Sequence, residues 1–271
     1  MAETSRDWGS AAIESALAGL SGVGGVHYRE IVDSTIDEAW AGSAAAATGL
    51  LVVADAQRRG RGRVGRAWHS PPGSGLWLSW LFRPLHEPSR WPLLPLVAGV
   101  ATARAVDGFG VRLLLKWPND LVGGDGSFRK AGGLLAESRT GDGPPAVVLS
   151  LGLNVLGDTA SYPAELRRTV VSLEELAGRP LDRLALLHAV LEAWTGSVRD
   201  LSEASTRKAL AAWRERSAIL GRVVRLREGV AEVEGVARDV DEDGALVVRL
   251  DSGAEMVVRA GEVDVRWGRD A

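Results

Sequence analysis

The chain has 271 residues, 46% of them hydrophobic and 25% charged, with a net charge of −3 at neutral pH. That length supports a real core, divided as one large domain and one small one, and the acidic balance argues against a protein that coats nucleic acid with a basic face. There is no cysteine, which excludes disulfide frameworks, thiol nucleophiles and cysteine-based metal sites. No apolar run reaches the ~20 residues of a membrane span, and the first residues lack a basic and an apolar leader region, so a cytoplasmic protein without a membrane partner is expected.

Residues 1–25 are rich in Ala, Gly and Ser, with a helical period at Trp8, Ile13, Leu17 and Leu20. This stretch is too short for a helix-turn-helix domain. Asp33-Ser34-Thr35-Ile36-Asp37-Glu38 opens a helix running to about Ala47, with Thr35 and Glu38 as a capping box. A buried strand follows over Gly49–Ala54, and another over Leu76–Phe82. The pattern then predicts a helix over Trp91–Val106, a strand over Arg112–Lys116 and a hairpin of Leu121-Val122 with Ala131–Ser138. A continuous apolar strand covers Ala146–Val155, and helices cover Ser172–Ala177, Leu181–Leu201 and about Thr206–Ala212. Near residue 218 the grammar changes to short strands and turns: Val223–Arg227, Glu232–Asp239, Ala245–Leu250 and Glu255–Arg259. Four or five short strands in so little chain predict a small barrel. The reading is an α+β domain over 26–217 and an all-β domain over 218–271, after an extension of 1–25.

Between the first two strands five arginines, Arg58, Arg59, Arg61, Arg63 and Arg66, fall in nine residues among Gly60, Gly62 and Gly65. Guanidinium groups bind carboxylates and phosphates through planar paired donors. Like charges repel, so an idle loop has little reason to collect them. Gly60 to Gly65 matches G-x-G-x-x-G, but Trp68-His69-Ser70-Pro71-Pro72 follows where a dinucleotide site needs a helix. No Gly-Lys-Ser/Thr phosphate loop and no G-x-S-x-G elbow occur. The four histidines have no metal-ligand spacing, so no metal-binding residues are assigned.

Of the 32 basic residues only Lys116, Lys130 and Lys208 are lysine, a compact point charge that arginine cannot replace. Lys116-Trp117-Pro118-Asn119-Asp120 ends a strand, where polar chemistry gathers. Asn119 suits a base edge, and Asp120 suits orienting an amine, taking its proton or holding a metal ion; taken alone, this segment reads better as a plain Pro-Asn-Asp turn. Lys130 begins a strand beside Gly132-Gly133, and Gly152 interrupts the buried Ser150-Leu151-Gly152-Leu153-Asn154-Val155. Glycines in strands allow a ligand to approach the backbone.

In order, Asp33-Ser34-Thr35, Gln57 with Gly60–Pro71, Lys116–Asp120, Lys130–Gly133 and Gly152–Val155 resemble the biotin–protein ligase family over about residues 26–270. The resemblance implies a catalytic domain like those of class II aminoacyl-tRNA synthetases and lipoate ligases, with a mixed sheet, and a C-terminal SH3-like β-barrel. It implies an ATP-dependent ligase, using Mg2+ as MgATP, that converts biotin to biotinyl-5′-AMP and passes it to a biotin carboxyl carrier domain. Ser34, Thr35 and Gln57 then contact the ureido ring, and Gly60, Arg61, Gly62 and Arg63 cover the carboxylate and phosphates. Arg66, Trp68, Asn119 and Asn154 belong to the nucleotide, Lys130 to the carboxylate and α-phosphate, and Gly133, Gly152 and Leu153 to the biotin wall. Lys130, Arg63 and Asp120 are the catalytic set. Ile36 stands where many relatives have Asn. Relatives that repress transcription carry a DNA-binding domain; the short N-terminal stretch implies no DNA partner here, and the reading allows a weak homodimer. The alternatives are a lipoate or octanoate ligase of the same fold, and an RNA-binding module built on the arginine loop.

Overall fold

The computed structural model describes residues 8–44, 49–140, 144–157, 162–228 and 231–265; the expected end of the first helix, at residues 45–47, lies outside them. Seven strands form one mixed sheet: β1 (Gly25–Val32), β2 (Leu50–Gln57), β3 (Gly75–Phe82), β4 (Leu113–Lys116), β5 (Asp120–Gly123), β6 (Lys130–Arg139) and β7 (Ala146–Asn154). Their order is β1-β2-β3-β7-β6-β5-β4, with β1 and β2 parallel and all other pairs antiparallel. β3 sits in the interior of the sheet, and every one of its residues is buried. That is what its run Leu-Trp-Leu-Ser-Trp-Leu-Phe requires, since both faces must be covered.

β1 has no counterpart in the expected elements. It is an edge strand on which only Val32 is buried, so it lacks the apolar signal of a core strand. Pairing with β2 holds it.

The parallel β1–β2 connection passes through helix α2 (Thr35–Ala41), whose Ile36, Ala39 and Trp40 pack with Leu50, Val52, Leu81 and Val148 on one face of the sheet. The opposite face is covered by α1 (Ser10–Leu17), α3 (Leu94–Asp107), α5 (Arg183–Ser197) and α6 (Glu203–Glu215), in a larger cluster around Leu78, Trp80 and Trp194. The short helix α4 is Leu173–Ala177.

The expected capping box is displaced by one residue. Ser34 is the N-cap, accepting from Ile36 N at 3.3 Å, which frees Thr35 for the site. The expected helix over Trp91–Val106 begins as a 3-10 segment, Pro88–Leu93, before α3. α5 ends at Ser197 rather than Leu201, and α6 starts earlier than expected because the Ser202 hydroxyl caps it.

The C-terminal sheet holds β8 (Val223–Glu228), β9 (Ala231–Val240), β10 (Leu246–Leu250), β11 (Glu255–Val258) and β12 (Glu262–Val265) in the order β11-β10-β9-β8-β12. This is the SH3-like arrangement, a meander whose last strand returns beside the first. It is stitched to the edge of the large sheet. Leu115 N donates to Arg216 O, and Ala218 N to Leu115 O, each at 2.8 Å; Trp117 Nε1 donates to Gly244 O at 2.9 Å.

Candidate active site

A cavity of about 330 Å³ opens between β2, β3, β6 and β7, roofed by the arginine loop and walled at one side by Gly261, Val263 and Asp264 of the C-terminal domain. Of the residues expected at a site, Thr35, Gln57, Arg61, Gly62, Arg63, Arg66, Trp68, Asn119, Asp120, Lys130, Gly133, Gly152 and Asn154 line it. Ser34, Gly60 and Leu153 do not. Ser34 is 1% exposed as the α2 cap, and Leu153 is fully buried on the core side.

Polar side chains form a continuous relay across the cavity floor. Gln57 Oε1 accepts from Thr35 N at 2.9 Å and from Thr35 Oγ1 at 3.2 Å, while Gln57 Nε2 donates to Ser70 Oγ at 2.9 Å. The backbone N–H of Thr35, at the first turn of α2, can only donate, so it fixes which end of the Gln57 amide faces it. Ser79 Oγ donates to Thr35 Oγ1 at 2.8 Å and meets Ser150 Oγ at 2.8 Å. Since the Ser79 proton is committed to Thr35, Ser150 is the donor to Ser79. The relay runs Ser150, Ser79, Thr35, Gln57, Ser70, and ends on Trp68 O at 3.4 Å. It joins the floor to the loop above. Sequence reasoning missed Ser79; its signal is a lone hydroxyl in an otherwise apolar strand.

The loop folds back on itself. Trp68 N donates to Gly60 O at 2.8 Å and Gly62 N to Arg66 O at 2.7 Å. A Cβ at residue 60 would stand 2.5 Å from Trp68 O and 2.9 Å from Ser70 Oγ, so this close approach requires glycine. Val64, at φ 54°, turns the tip within a 3-10 segment, Arg63–Gly65. The arginines reach in different directions. Arg58 and Arg59 lie near Asp33 at 3.8 and 4.0 Å, Arg61 bonds Asp37 at 2.8 Å and Glu137 at 3.4 Å, and Arg63 Nη1 donates to Gly261 O at 3.3 Å. Exposed pairs of this kind contribute only ~0–1 kcal/mol each; their effect here is to draw the loop across the cavity.

Lys130 and Asp120 face each other across β6 and β5, Nζ to Oδ1 at 2.5 Å, over Gly133. Lys130 Nζ also stands 5.1 Å from the centre of the Trp68 ring. The Asn119 amide donates to Leu134 O at 2.5 Å. Asn154 is 2% exposed; its amide donates to Lys130 O and Val171 O at 3.3 Å, and it accepts from Tyr162 OH at 3.2 Å. Both amides therefore hold the backbone of the strand that carries Lys130. Tyr162, also missed from the sequence, packs edge-on against His69 at 4.9 Å, and burial raises its phenol pKa. Among the described residues no cluster of three or more His, Asp or Glu is arranged to hold a metal ion, and no helix is long and apolar enough to cross a membrane.

The description of the biotin/lipoate A/B protein ligase family matches residues 28–154, and that of the biotin protein ligase C-terminal domain matches residues 219–266. Among solved structures, a biotin protein ligase from Aquifex aeolicus in complex with biotin and ATP superposes with a TM-score of 0.76 at 27% identity, covering 90% of this chain and 99% of that one. The biotin–[acetyl-CoA-carboxylase] ligase of Paracoccus denitrificans is 33% identical over 238 residues, 85% of this chain and 96% of the relative. The bifunctional ligase/repressor BirA of Bacillus spizizenii is 30% identical over 237 residues, 86% of this chain and 72% of the relative. Fold and site thus define a two-domain α+β ligase with an SH3-like C-terminal sheet. The chain belongs to the biotin/lipoate A/B protein ligase family and is an enzyme of the biotin protein ligase type.

Proposed function

We propose that the protein joins biotin to AMP from MgATP and then transfers the biotinyl group to a lysine of a biotin carboxyl carrier domain. In the first step a biotin carboxylate oxygen attacks the α-phosphorus of MgATP and pyrophosphate leaves. In the second, the carrier amine attacks the acyl carbon, AMP leaves, and the amine gives up a proton. The observation that carries the reading is the Lys130–Asp120 pair at 2.5 Å over Gly133, beneath a loop of arginines.

Two anions must meet in the first step, so fixed cations offset their repulsion. Lys130 and Arg63 supply that charge, and Arg61 and Arg66 extend it toward the phosphates. The Lys130 ammonium has three N–H donors, so it can keep its contact with Asp120 and still meet the incoming acid. The second carboxylate oxygen of Asp120 is left to hold the carrier amine and take its proton. The lid formed by Gly60–Arg66 keeps water from the mixed anhydride. Thr35 and Gln57 form the ureido end and Gly133 and Gly152 the wall, backed by the α2 cap Ser34 and the core residue Leu153, and Trp68, Asn119 and Asn154 form the nucleotide side.

The same fold serves lipoate or octanoate ligation. The hydroxyl and amide relay favours biotin, because a ureido group has donors and acceptors to exchange with Thr35, Gln57 and Ser150, which line the cavity, and a dithiolane has none. ATP as co-substrate and a cysteine-free chain suit the cytoplasm. The described part of the N-terminal extension holds one short helix, Ser10–Leu17, packed on the catalytic domain. Incubation with ATP, magnesium and either biotin or lipoate, followed by mass detection of the acyl-adenylate, tests the proposal. An adenylate from lipoate and none from biotin would replace it.

A further inference from the structure

The arginine loop leaves β2 at Gln57 and re-enters the sheet at Gly75. The relay holds its departure; a different group, outside the cavity, holds its return. Asp55 on β2 accepts from Gly73 N at 3.0 Å through Oδ2, and its Oδ1 accepts from Arg183 Nη1 at 2.6 Å. Arg183 Nε donates to Gly75 O at 2.8 Å. One carboxylate and one guanidinium thus grip both neighbours of Ser74. Ser74 O in turn accepts from Val155 N and Leu156 N, at 3.0 and 2.8 Å, at the end of the strand bearing Gly152. Gly73, at φ +69°, is the natural hinge.

Arg183 is 3% exposed, and its guanidinium carbon lies 3.6 Å from the centre of the Trp8 ring. Its Nη2 has no hydrogen-bond partner among the described residues. Burial lowers the Arg183 pKa, and Asp55 opposes the shift. Trp8 belongs to the N-terminal extension. That segment is held down by Ile13 and Leu17 in the core and by a contact of His188 Nδ1 with Ala16 O at 2.6 Å. No described residue of the extension lines the cavity.

We infer that the Asp55–Arg183 pair, roofed by Trp8, is a positioning device for the arginine loop. Through it the N-terminal extension sets how firmly the lid is hinged and how well it seals the adenylate. A lid closes to a defined place only if its hinges are fixed. Stacking an indole on a buried guanidinium fixes the plane of its donors, and those donors aim at Asp55 and Gly75. The inference rests on the reading of the loop as a lid over an acyl-adenylate.

The test uses the whole protein as wild type, Trp8→Ala, Trp8→Phe and Asp55→Asn. Three quantities are read: the rate of tryptic cleavage at the loop arginines, the ratio of escaped adenylate to biotinylated carrier domain, and the saturating rate of biotin-dependent pyrophosphate exchange. Trp8→Ala and Asp55→Asn should raise loop cleavage about fivefold and the escape ratio about tenfold. Exchange at saturation should stay within about twofold of wild type, and Trp8→Phe should behave as wild type. The idea is overturned if folded Trp8→Ala protein shows wild-type cleavage and wild-type escape. It is equally overturned if exchange falls while the escape ratio does not change, the sign of a merely structural role. Should Asp55→Asn fail to fold, the Trp8 pair decides alone. A wild-type protein that forms no adenylate would sink the ligase reading, and the cleavage rates would still judge the anchor.

Discussion

The indole of Trp68 rests on the backbone of Gly152: a Cβ at residue 152 would stand 2.5 Å from both Nε1 and Cε2 of that ring. Trp68 Nε1 has no hydrogen-bond partner among the described residues, and the ring meets Trp77 edge-on at 6.4 Å. The loop's tryptophan is therefore placed by shape, against a strand position that only glycine fits. Gly152→Ala should lift the ring and misplace the loop. Since displacements of about 1 Å can cost ~10²-fold, kcat/KM for pyrophosphate exchange should fall by roughly that factor with little change in melting temperature. A normal kcat/KM would mean that the Trp68–Gly152 contact is irrelevant to the reaction.

Lys130→Met keeps an apolar stem and removes the charge beside Asp120. Loss of one fixed cation at a site of developing negative charge typically costs ~10²–10³ in kcat, and that loss is expected here in adenylate formation. Lys130→Arg should not restore it, because a planar fork does not replace a point charge on Asp120 and the ligand. Single-turnover measurement of the adenylate would expose near-wild-type rates, which would remove Lys130 from the mechanism.

Ser79→Ala breaks the relay at its most buried hydroxyl. Ser150 then loses its acceptor and Thr35 Oγ1 a donor, which should destabilise the fold by ~1–3 kcal/mol in denaturant unfolding. Biotin affinity by calorimetry should weaken about tenfold, because the Thr35 hydroxyl is no longer oriented. Unchanged affinity in a folded variant would locate the ureido ring elsewhere.

Both tyrosines have phenols raised above their ordinary value of 10.0. Burial is the main cause in each; Asp55 adds to it at Tyr28, and a Ser74 hydrogen bond opposes it at Tyr162. A folded-state pKa above the unfolded one gives stability that is complete below pH ~10 and lost as pH rises through the folded value. Phenolate absorbance of the native protein should therefore begin above pH 10, and urea midpoints should fall over the same range. A native phenolate step at the unfolded value would show that neither ring is desolvated.

Much of the site was legible because it is local. The arginine loop, the Trp117-Pro118-Asn119-Asp120 turn and the Lys130–Gly133 strand start are contiguous runs whose composition fits no core segment. Their order along the chain was enough to suggest the family. Other parts depended on neighbours far away in sequence. β1 carries almost no buried side chain, so only its pairing with β2 reveals it. Ser79 reads as an interruption of an apolar strand until Thr35 and Ser150 arrive from α2 and β7.

Taken alone, the residues determined which segments had to be polar loops, which had to be buried strands, and where cationic charge would collect. Those properties follow from side-chain chemistry and short-range periodicity. Tertiary structure decided the partners. Register between β5 and β6, with its shift at Leu121/Val122, brings Lys130 to Asp120. Loop closure sets Trp68 on Gly152, and packing of the N-terminal helix brings Trp8 over Arg183, itself 128 residues from the Asp55 it holds. Such contacts depend on how sheets align and helices dock, and no stretch of neighbouring residues encodes that.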